Sequence, residues 1–278
     1  MKFDEKLQRS IQQAQSVLCI GIDPNTDLFP KEIARSSKNK ADQVLEFCAG
    51  VIKASHDYAC AYKINTAYFE ALGKRGFDIL GRTKELIPAE KVVIADAKRG
   101  DVGHTADQYK KAFFDAFDFD AITLSPLMGL DTLKPYMGLE EKAIFVLALT
   151  SNAGANDFFL KPFGRSNLSG YIAESLQKEQ QVSKTSIGMV IGATQDAAGP
   201  VLGAYPGSNL LIPGIGAQGG SLERLEQVLK DHNGFPLVSV SRGILYPESQ
   251  QGLSWMQAIE KQARDYHQQL HTISQKYV

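Results

Sequence analysis

The stretch KVVIADAKRGDVGHTADQY, residues 91–109, joins a strand-like apolar run directly to a polar segment of helical character. The apolar run ends in a cluster of charged residues, in which Asp96, Lys98 and Asp101 fall within six positions. Near-continuous apolar strands that alternate with helices are typical of a parallel sheet covered by helices. We therefore interpret the stretch as one β/α unit of such a sheet, with charges gathered at the carboxyl end of its strand.

Apolar runs of this kind, rich in Val, Ile, Leu and Ala, recur along the chain. Eight are found, at residues 16–23, 59–65, 91–98, 121–126, 143–149, 187–193, 210–216 and 236–242. Polar stretches separate them, such as GGSLERLEQVLKDH, in which Leu222, Leu225 and Leu229 recur at helical spacing. Eight such units in about 250 residues predict an α/β fold, a (β/α)8 TIM barrel, that forms one domain over residues 1–278. A doubly wound open sheet is the structural alternative, but no GxGxxG motif follows the first strand.

The composition is that of an ordinary globular protein, with 44% hydrophobic and 22% charged residues and a net charge of −1. No overall basic field would draw the chain to nucleic acid or to anionic lipid. No apolar run approaches the roughly 18 residues needed to span a bilayer, and the amino-terminal segment predicts an amphipathic helix rather than a signal peptide. Cys19, Cys48 and Cys60 lack CxxC spacing, and Cys19 and Cys60 lie in strand-like apolar runs that predict buried thiols. A reducing, cytoplasmic setting is expected.

In a (β/α)8 barrel the active site is built at the carboxyl ends of the strands. The polar residues at these positions in the predicted strands are Asp23, Lys63, Asn65, Asp96, Lys98, Ser125, Ser151, Gln218 and Arg242. Each of them is ordinary by itself. Together on one rim, they predict a polar pocket.

The charged residues at this rim are expected to form a row. Side chains alternate faces along a strand, so Asp96 and Lys98 should point the same way, toward the barrel mouth. Lys63 is expected at a matching height on the neighbouring strand, and Asp101 follows in the next loop. Asp101 alone is more often a helix N-cap, and a lone Asp–Lys pair is often structural. Burying ion pairs is costly, however, and four alternating charges favour a functional origin.

Two elements near the end of the chain predict a phosphate site. Arg242 closes the eighth predicted strand, and GAQGG at residues 216–220 follows the seventh. An arginine can bind two phosphate oxygens at once, and backbone amides at helix N-termini supply further donors. Gln218 and the amide of Gly243 would add to them. A glycine-rich loop alone is weak evidence, but its pairing with Arg242 strengthens the interpretation.

The segment DAKRGDVGHTA resembles the Asp-x-Lys-x-x-Asp signature of orotidine 5′-phosphate decarboxylases, which make UMP in pyrimidine biosynthesis. The segments GIDPN, YKIN, TSNAGA, PGIGAQGG and VSRGI also resemble that family and occur in the same order. The resemblance spans residues 18–245 and points to the larger bacterial, type 2 branch. One departure is Ala153, where many relatives carry proline, and it concerns the stiffness of a loop rather than the chemistry.

The resemblance implies a homodimer that converts orotidine 5′-monophosphate to UMP and CO2 without a metal or another cofactor. Lys98 would stabilise and protonate the carbanion at C6, Asp96 would lie against the substrate carboxylate, and Lys63 would hold Asp96 ionised. The other substrate contacts that it implies are Asp23, Ser151, Pro213, Gln218, Arg242 and Gly243, with Asp101 and Thr105 contributed across the dimer interface.

Alternatives from other classes stay open. A magnesium-dependent relative with the same signature acts on keto-sugar phosphates, but the ammonium of Lys63 opposes a divalent cation there, so no metal is expected. A non-catalytic nucleotide-phosphate-binding barrel would keep Gln218 and Arg242 but would have no use for the charged row. A Schiff-base aldolase needs an uncharged lysine, and Lys98 between two aspartates is poorly placed for that role.

Overall fold

The computed structural model describes residues 1–192, 197–214, 222–248 and 252–278. Its centre is a set of eight parallel strands, β1 to β8, which span Leu18–Ile22, Ala61–Asn65, Val92–Arg99, Ala121–Leu124, Ala143–Leu149, Ser186–Ile191, Leu210–Pro213 and Pro236–Val240. Each strand pairs with the next along the chain, and β8 pairs with β1, so that the sheet closes into a barrel. The predicted (β/α)8 barrel is confirmed, and every predicted apolar run coincides with one strand.

Helices connect the strands and cover the barrel. Helices α1 to α12 span Phe3–Ala14, Lys31–Ala34, Lys40–Ser55, Thr66–Glu70, Gly76–Glu85, Gly103–Lys110, Leu168–Gln180, Ala198–Ala204, Leu222–Val228, Arg242–Leu245, Trp255–Gln269 and His271–Ser274. Short 3-10 helices occupy Thr26–Leu28, Gly73–Arg75, Leu130–Tyr136 and Ala153–Asp157, and a π-helical segment, Lys111–Ala116, extends α6. Within the described residues, no helix is long and apolar enough to cross a membrane.

The strands are apolar because both of their faces are covered. Every residue of β1, β4 and β8 is buried, since the inner face fills the barrel and the outer face lies under helices. Cys19 on β1 and Cys60 before β2 are buried and free, as the sequence predicts, and Cys48 on α3 is buried and free as well. Burial raises the pKa of the Cys19 thiol to about 12, which leaves it protonated and inert at neutral pH.

Helix α1 closes the amino end of the barrel. Its apolar residues Leu7 and Ile11 are buried, and its polar side reaches the starts of distant strands. Asp4 Oδ1 accepts hydrogen bonds from Asn209 Nδ2 at 2.6 Å and from Ser186 Oγ at 2.8 Å. Asn209 directly precedes β7, and Ser186 is the first residue of β6. Helix α1 therefore lies across the end of the barrel that carries no predicted site residue.

Strand β3 carries a bulge beside β4. The pairing of the two strands shifts between Ala95 and Arg99, where β3 advances from residue 95 to 99 while β4 advances only from 122 to 124. The bulged residues of β3 therefore lie opposite Thr123. Lys98 within the bulge has a φ of +47°, a left-handed conformation that non-glycine residues adopt rarely and at a cost. Bulges of this kind redirect side chains and are common beside active sites.

Four aromatic rings stack between the segments that follow β1 and β8 and two outer helices. The ring of Phe47 on α3 lies 4.5 Å from that of Phe29, 5.6 Å from that of Tyr246 and 5.8 Å from that of Trp255, measured between centroids. Such stacked rings bury large apolar areas and favour defined geometries. The stack joins the loop after β1 and the turn after β8 to the outer helices α3 and α11.

The irregular insert at residues 152–170 contains some regular structure. Ala153–Asp157 forms a 3-10 helix, and Pro162–Phe163 pairs with Ser166–Asn167 in a short antiparallel hairpin. Helix α7 begins at Leu168, and the Asn167 side chain caps it by accepting a hydrogen bond from the Gly170 amide. The insert therefore leads directly from β5 into its helix.

Candidate active site

A polar cavity of about 300 Å³ lies at the carboxyl end of the barrel. Residues from β1, β2, β3, β7 and β8, or from the turns after them, line it. The predicted site residues among the lining are Asp23, Lys63, Asn65, Asp96, Pro213, Arg242 and Gly243. The cavity thus contains predicted residues that are separated by more than two hundred positions in sequence and share only their place at the strand ends.

The carboxylate of Asp96 is the centre of a row of charges that begins in this cavity and ends at Lys98, which is not among the lining residues. Its Oδ2 accepts a hydrogen bond from Lys63 Nζ at 2.8 Å, and its Oδ1 accepts one from Lys98 Nζ at 2.6 Å. Lys63 Nζ also lies 3.8 Å from Asp23 Oδ1. Lys63 and Asp96 are buried, whereas 52% of the Lys98 side chain is exposed. The four charges alternate in sign and sum to zero.

The register of the barrel explains how Lys63 reaches Asp96. Lys63 pairs with Ile94 across β2 and β3, and Asp96 stands two residues further along β3 on the same face. A lysine side chain easily spans this diagonal. Lys98 reaches the other carboxylate oxygen by a different route, because its backbone belongs to the bulge of β3 rather than to regular strand.

The two buried charges of the row stabilise one another. Burial would raise the pKa of Asp96, but the ammonium groups of Lys63 and Lys98 outweigh burial and hold that pKa well below its usual range. Burial would likewise lower the pKa of Lys63, but the carboxylates of Asp96 and Asp23 outweigh it and raise that pKa. Both groups therefore stay ionised across the physiological range.

Asp23 presents a free acceptor to the cavity. Its carboxylate oxygen Oδ1 is buried and accepts no hydrogen bond from the described part of the chain. Its backbone carbonyl accepts a hydrogen bond from the Tyr246 hydroxyl at 2.8 Å, and the Asn25 amide donates to the same hydroxyl at 2.6 Å. Tyr246 thus fixes the loop after β1 against the turn after β8, and the free oxygen can accept a hydrogen bond from a ligand hydroxyl.

The turn after β8 forms another part of the cavity wall. Arg242 and Gly243 begin α10, and the side chain of Arg242 is exposed. The turn approaches β1 closely at Gly21, where an added Cβ would lie 1.8 Å from Ser241 Oγ. Only glycine permits this approach without a shift of the turn. Gln218, the other predicted phosphate contact, lies outside the described residues.

Asp101 and Thr105 lie apart from the charged row within this single chain. Asp101 Oδ1 accepts a hydrogen bond from the Val102 amide at 2.8 Å, and Thr105 lies in the first turns of α6. Among the described residues, no ion pair joins Asp101 to Lys98, and no hydrogen bond joins Thr105 to the row. The predicted contribution of both residues across a dimer interface stays a prediction.

One residue that contacts the charged row was not predicted from the sequence. Thr123 Oγ1 donates a hydrogen bond to Asp96 Oδ1 at 3.0 Å and accepts one from the Lys98 amide at 2.9 Å. Ser125, the last polar residue of that run, was the predicted site residue, whereas the residue that contacts the row lies inside β4. Ser151 follows β5 and is half-buried.

Comparisons with known proteins agree with these features. A family model described as orotidine 5′-phosphate decarboxylase / HUMPS family matches residues 16–251. The chain belongs to this family. A relative from Dehalococcoides mccartyi (strain CBDB1), named orotidine 5′-phosphate decarboxylase, is 40% identical over 253 residues and 90% of each chain. A relative of the same name from Herpetosiphon aurantiacus is 38% identical, and the match covers 95% of this chain and 96% of that one.

Solved structures of the family share the architecture. The structure of Leishmania donovani OMP decarboxylase superposes with a TM-score of 0.81 at 31% identity and covers 99% of each chain. A putative orotidine-monophosphate-decarboxylase from Toxoplasma gondii superposes with a TM-score of 0.87, also at 31% identity, and the match covers 100% of this chain and 98% of that one. The family resemblance noted in the motifs is thus confirmed over most of the chain.

Proposed function

We propose that this protein is an orotidine 5′-phosphate decarboxylase, which converts orotidine 5′-monophosphate to UMP and CO2 in pyrimidine biosynthesis. The observation that carries the proposal is the row Lys63–Asp96–Lys98 at the carboxyl end of the barrel, in which Lys63 and Asp96 are buried, in a chain that belongs to the family. The relatives that are 36–41% identical over most of the chain bear this name.

Lys98 is the residue we assign to the chemical step. When the bond between C6 and the carboxylate breaks, its electron pair stays on C6 and CO2 leaves. The pyrimidine ring delocalises this charge poorly, and an ammonium already in place stabilises it without further reorganisation. Lys98 then transfers a proton to C6 and completes UMP. The hydrogen bond from Lys98 Nζ to Asp96, 2.6 Å long, holds the ammonium in place before the reaction begins.

Asp96 and Lys63 set up the electrostatics of this step. Asp96 would lie against the substrate carboxylate, and their repulsion would raise the energy of the bound substrate relative to the transition state. The pKa of Asp96 is held low by the neighbouring ammonium groups, so the residue cannot relieve the repulsion by taking up a proton. Lys63 supplies the buried positive charge that makes this arrangement tolerable.

The rest of the cavity would hold the parts of the substrate that do not react. Asp23 would accept a hydrogen bond from a ribose hydroxyl, and Ser151 would read the pyrimidine edge. Arg242, with Gln218, Pro213 and the amide of Gly243, would bind the phosphate. Binding energy gained at the phosphate can position the ring at Lys98, so its loss should lower the rate as well as the affinity.

The proposal includes a dimeric, cytoplasmic enzyme that needs no metal or other cofactor. Asp101 and Thr105 would reach the active site of the neighbouring subunit, where Asp101 would extend the charged row beyond Lys98. The ammonium of Lys63, which is buried between Asp96 and Asp23, already neutralises the carboxylates that a divalent cation would need. Decarboxylation should therefore persist in EDTA.

Turnover of the proposed substrate tests the function. Added orotidine 5′-monophosphate should lose its absorbance and release one CO2 for each UMP formed. Replacing Lys98 with Ala should abolish turnover while UMP still binds. Lys184→Ala removes an exposed lysine just before β6, at the opposite end of the barrel, and should leave the rate unchanged. Near-normal turnover by the Lys98→Ala variant would refute the assigned role. Activity that is lost in EDTA and restored by Mg²⁺ would favour the magnesium-dependent alternative.

Mixing two inactive variants tests the shared site. Lys98→Ala and Asp101→Asn chains, unfolded and refolded together, should form mixed dimers that contain one intact site each. Statistical pairing then restores about a quarter of the wild-type activity, because half of the dimers carry one of two sites. No recovery in a sample that is dimeric by light scattering would show that Asp101 acts within its own subunit.

A further inference from the structure

A buried threonine connects the backbone of Lys98 to the carboxylate of Asp96. Thr123 lies on β4 with 1% of its surface exposed, opposite the bulge of β3. Its hydroxyl has one proton and donates it to Asp96 Oδ1 at 3.0 Å. A lone pair of the same oxygen accepts the Lys98 backbone amide at 2.9 Å.

The bulge creates the need for such a partner. In a regular parallel strand, the Lys98 amide would donate to a backbone carbonyl of the next strand. The shifted register of β3 and β4 takes it out of that ladder, and an amide left without a partner at a partly buried position is costly. The hydroxyl of Thr123 replaces the missing carbonyl and thereby supports the left-handed backbone of Lys98, with its φ of +47°.

The same hydroxyl fixes which way the Asp96 carboxylate faces. Oδ2 is taken by Lys63 at 2.8 Å, and Oδ1 receives both Lys98 Nζ at 2.6 Å and Thr123 Oγ1 at 3.0 Å. Three donors from three different strands thus hold the two oxygens. Without Thr123, the carboxylate keeps both ammonium partners but loses the one donor that is rigidly attached to the barrel wall, since lysine side chains are long and flexible.

We propose that Thr123 is a positioning residue, whose hydroxyl holds Asp96 and the backbone of Lys98 in the relative geometry that the chemical step requires. This inference rests on the proposed decarboxylase function. It predicts that Thr123 acts through Asp96 and Lys98 and not on the substrate itself. Loss of the hydroxyl should therefore lower kcat and leave the binding of the product nucleotide nearly unchanged.

The test compares Thr123→Val, which keeps the shape and removes the hydroxyl, with Thr123→Ser, which keeps the hydroxyl. We expect Thr123→Val to lower kcat by about 10- to 100-fold, the range for loss of a hydrogen bond to a charged group whose geometry matters for the reaction. Its dissociation constant for UMP, measured by calorimetry, should change by less than about threefold, and Thr123→Ser should recover most of the rate.

Thr185 offers a matched control at the opposite end of the barrel. Its buried hydroxyl also accepts from a backbone amide, that of Leu139 at 2.9 Å, and donates to the carbonyl of Tyr136 at 2.6 Å. Thr185→Val removes an equivalent pair of hydrogen bonds far from the cavity, so it should lower the melting temperature and leave kcat unchanged.

The outcomes separate the two proposals. A wild-type protein that does not turn over orotidine 5′-monophosphate overturns the proposed function. An active wild type together with a Thr123→Val variant that matches Thr185→Val in kcat overturns the positioning role. The role is also overturned if UMP affinity falls in proportion to kcat, or if serine fails to restore the rate. If Thr123→Val does not fold, kcat and UMP affinity are measured for Thr123→Ala instead, and the same outcomes decide.

Discussion

Replacing Lys63 with Met should destabilise the fold, because it leaves buried carboxylates without their main partner. The Lys63 ammonium lies 2.8 Å from Asp96 Oδ2 and 3.8 Å from Asp23 Oδ1. At an effective dielectric constant of about 20, the shorter contact alone corresponds to about 6 kcal/mol of Coulomb attraction. Part of this is offset, since methionine does not have to be stripped of water as an ammonium does.

The net effect follows from what remains around Asp96. Breaking a buried ion pair by removing one partner costs about 3 to 5 kcal/mol. Lys98 still donates to Asp96 Oδ1 at 2.6 Å, so the lower end applies, and we expect the free energy of unfolding to fall by about 3 kcal/mol. For a chain of this size, that corresponds to a melting temperature lower by about 6 to 12 °C.

Thermal and urea unfolding at pH 7 measure the change, and a double variant identifies its cause. Asp96→Asn removes the charge that Lys63 neutralises, so Lys63→Met combined with Asp96→Asn should lose less stability than the sum of the two single variants. A Lys63→Met variant that melts within about 2 °C of wild type contradicts the electrostatic argument, because such a small shift is below 1 kcal/mol. Strict additivity in the double variant contradicts it equally.

Three further predictions concern stability and reactivity. Because the pKa of Asp96 is lowered in the folded state, its stabilising contribution is complete above the unfolded pKa of about 4 and is lost as the pH falls through the folded pKa. Between pH 7 and pH 3, the melting temperature of Asp96→Asn should therefore fall less steeply than that of the wild type. An added Cβ at Gly234 would lie 1.9 Å from the carbonyl oxygen of Ser208, so Gly234→Ala should lower the free energy of unfolding by about 2 kcal/mol. Gly203 lies on α8 with open space around it, so Gly203→Ala should raise the free energy of unfolding by about 0.5 kcal/mol. Urea unfolding measures both changes. The three buried cysteines should resist a thiol reagent at pH 8 in the native protein and react at once in urea; labelling before urea is added would contradict their burial.

The architecture was predictable because each element carries its own signal. Runs of Val, Ile, Leu and Ala, as in VVIA at the start of β3, are typical of a strand covered on both faces. Eight repeats of the pattern favour the closed barrel over an open sheet, and closure determines which strand ends meet. Lys63 and Asp96 could therefore be placed together without coordinates, since their meeting depends only on strand order and on alternation of side chains.

The details of the site depended on features without such a signal. The contact between Lys98 and Asp96 was expected from regular alternation, but the structure makes it through a bulge and a left-handed backbone. No residue pattern around Lys98 announces a bulge, since lysine is not a residue that favours positive φ. Thr123 was missed for the same reason. A threonine inside an apolar run is a good strand residue. The pairing of Ala95 with Ile122 places Thr123 beside Asp96, and the shift that follows brings the Lys98 amide to its hydroxyl.

The aromatic stack around Phe47 gives the molecule a built-in optical reporter. The chain contains a single tryptophan, Trp255, whose indole lies against Phe47, while Phe47 in turn lies against Tyr246. The hydroxyl of Tyr246 is bonded to the backbone of Asp23 at the cavity. Tryptophan emission therefore arises from Trp255 alone, and Phe47 and Tyr246 lie between it and the cavity, so binding at the barrel mouth is expected to change this emission without any attached dye.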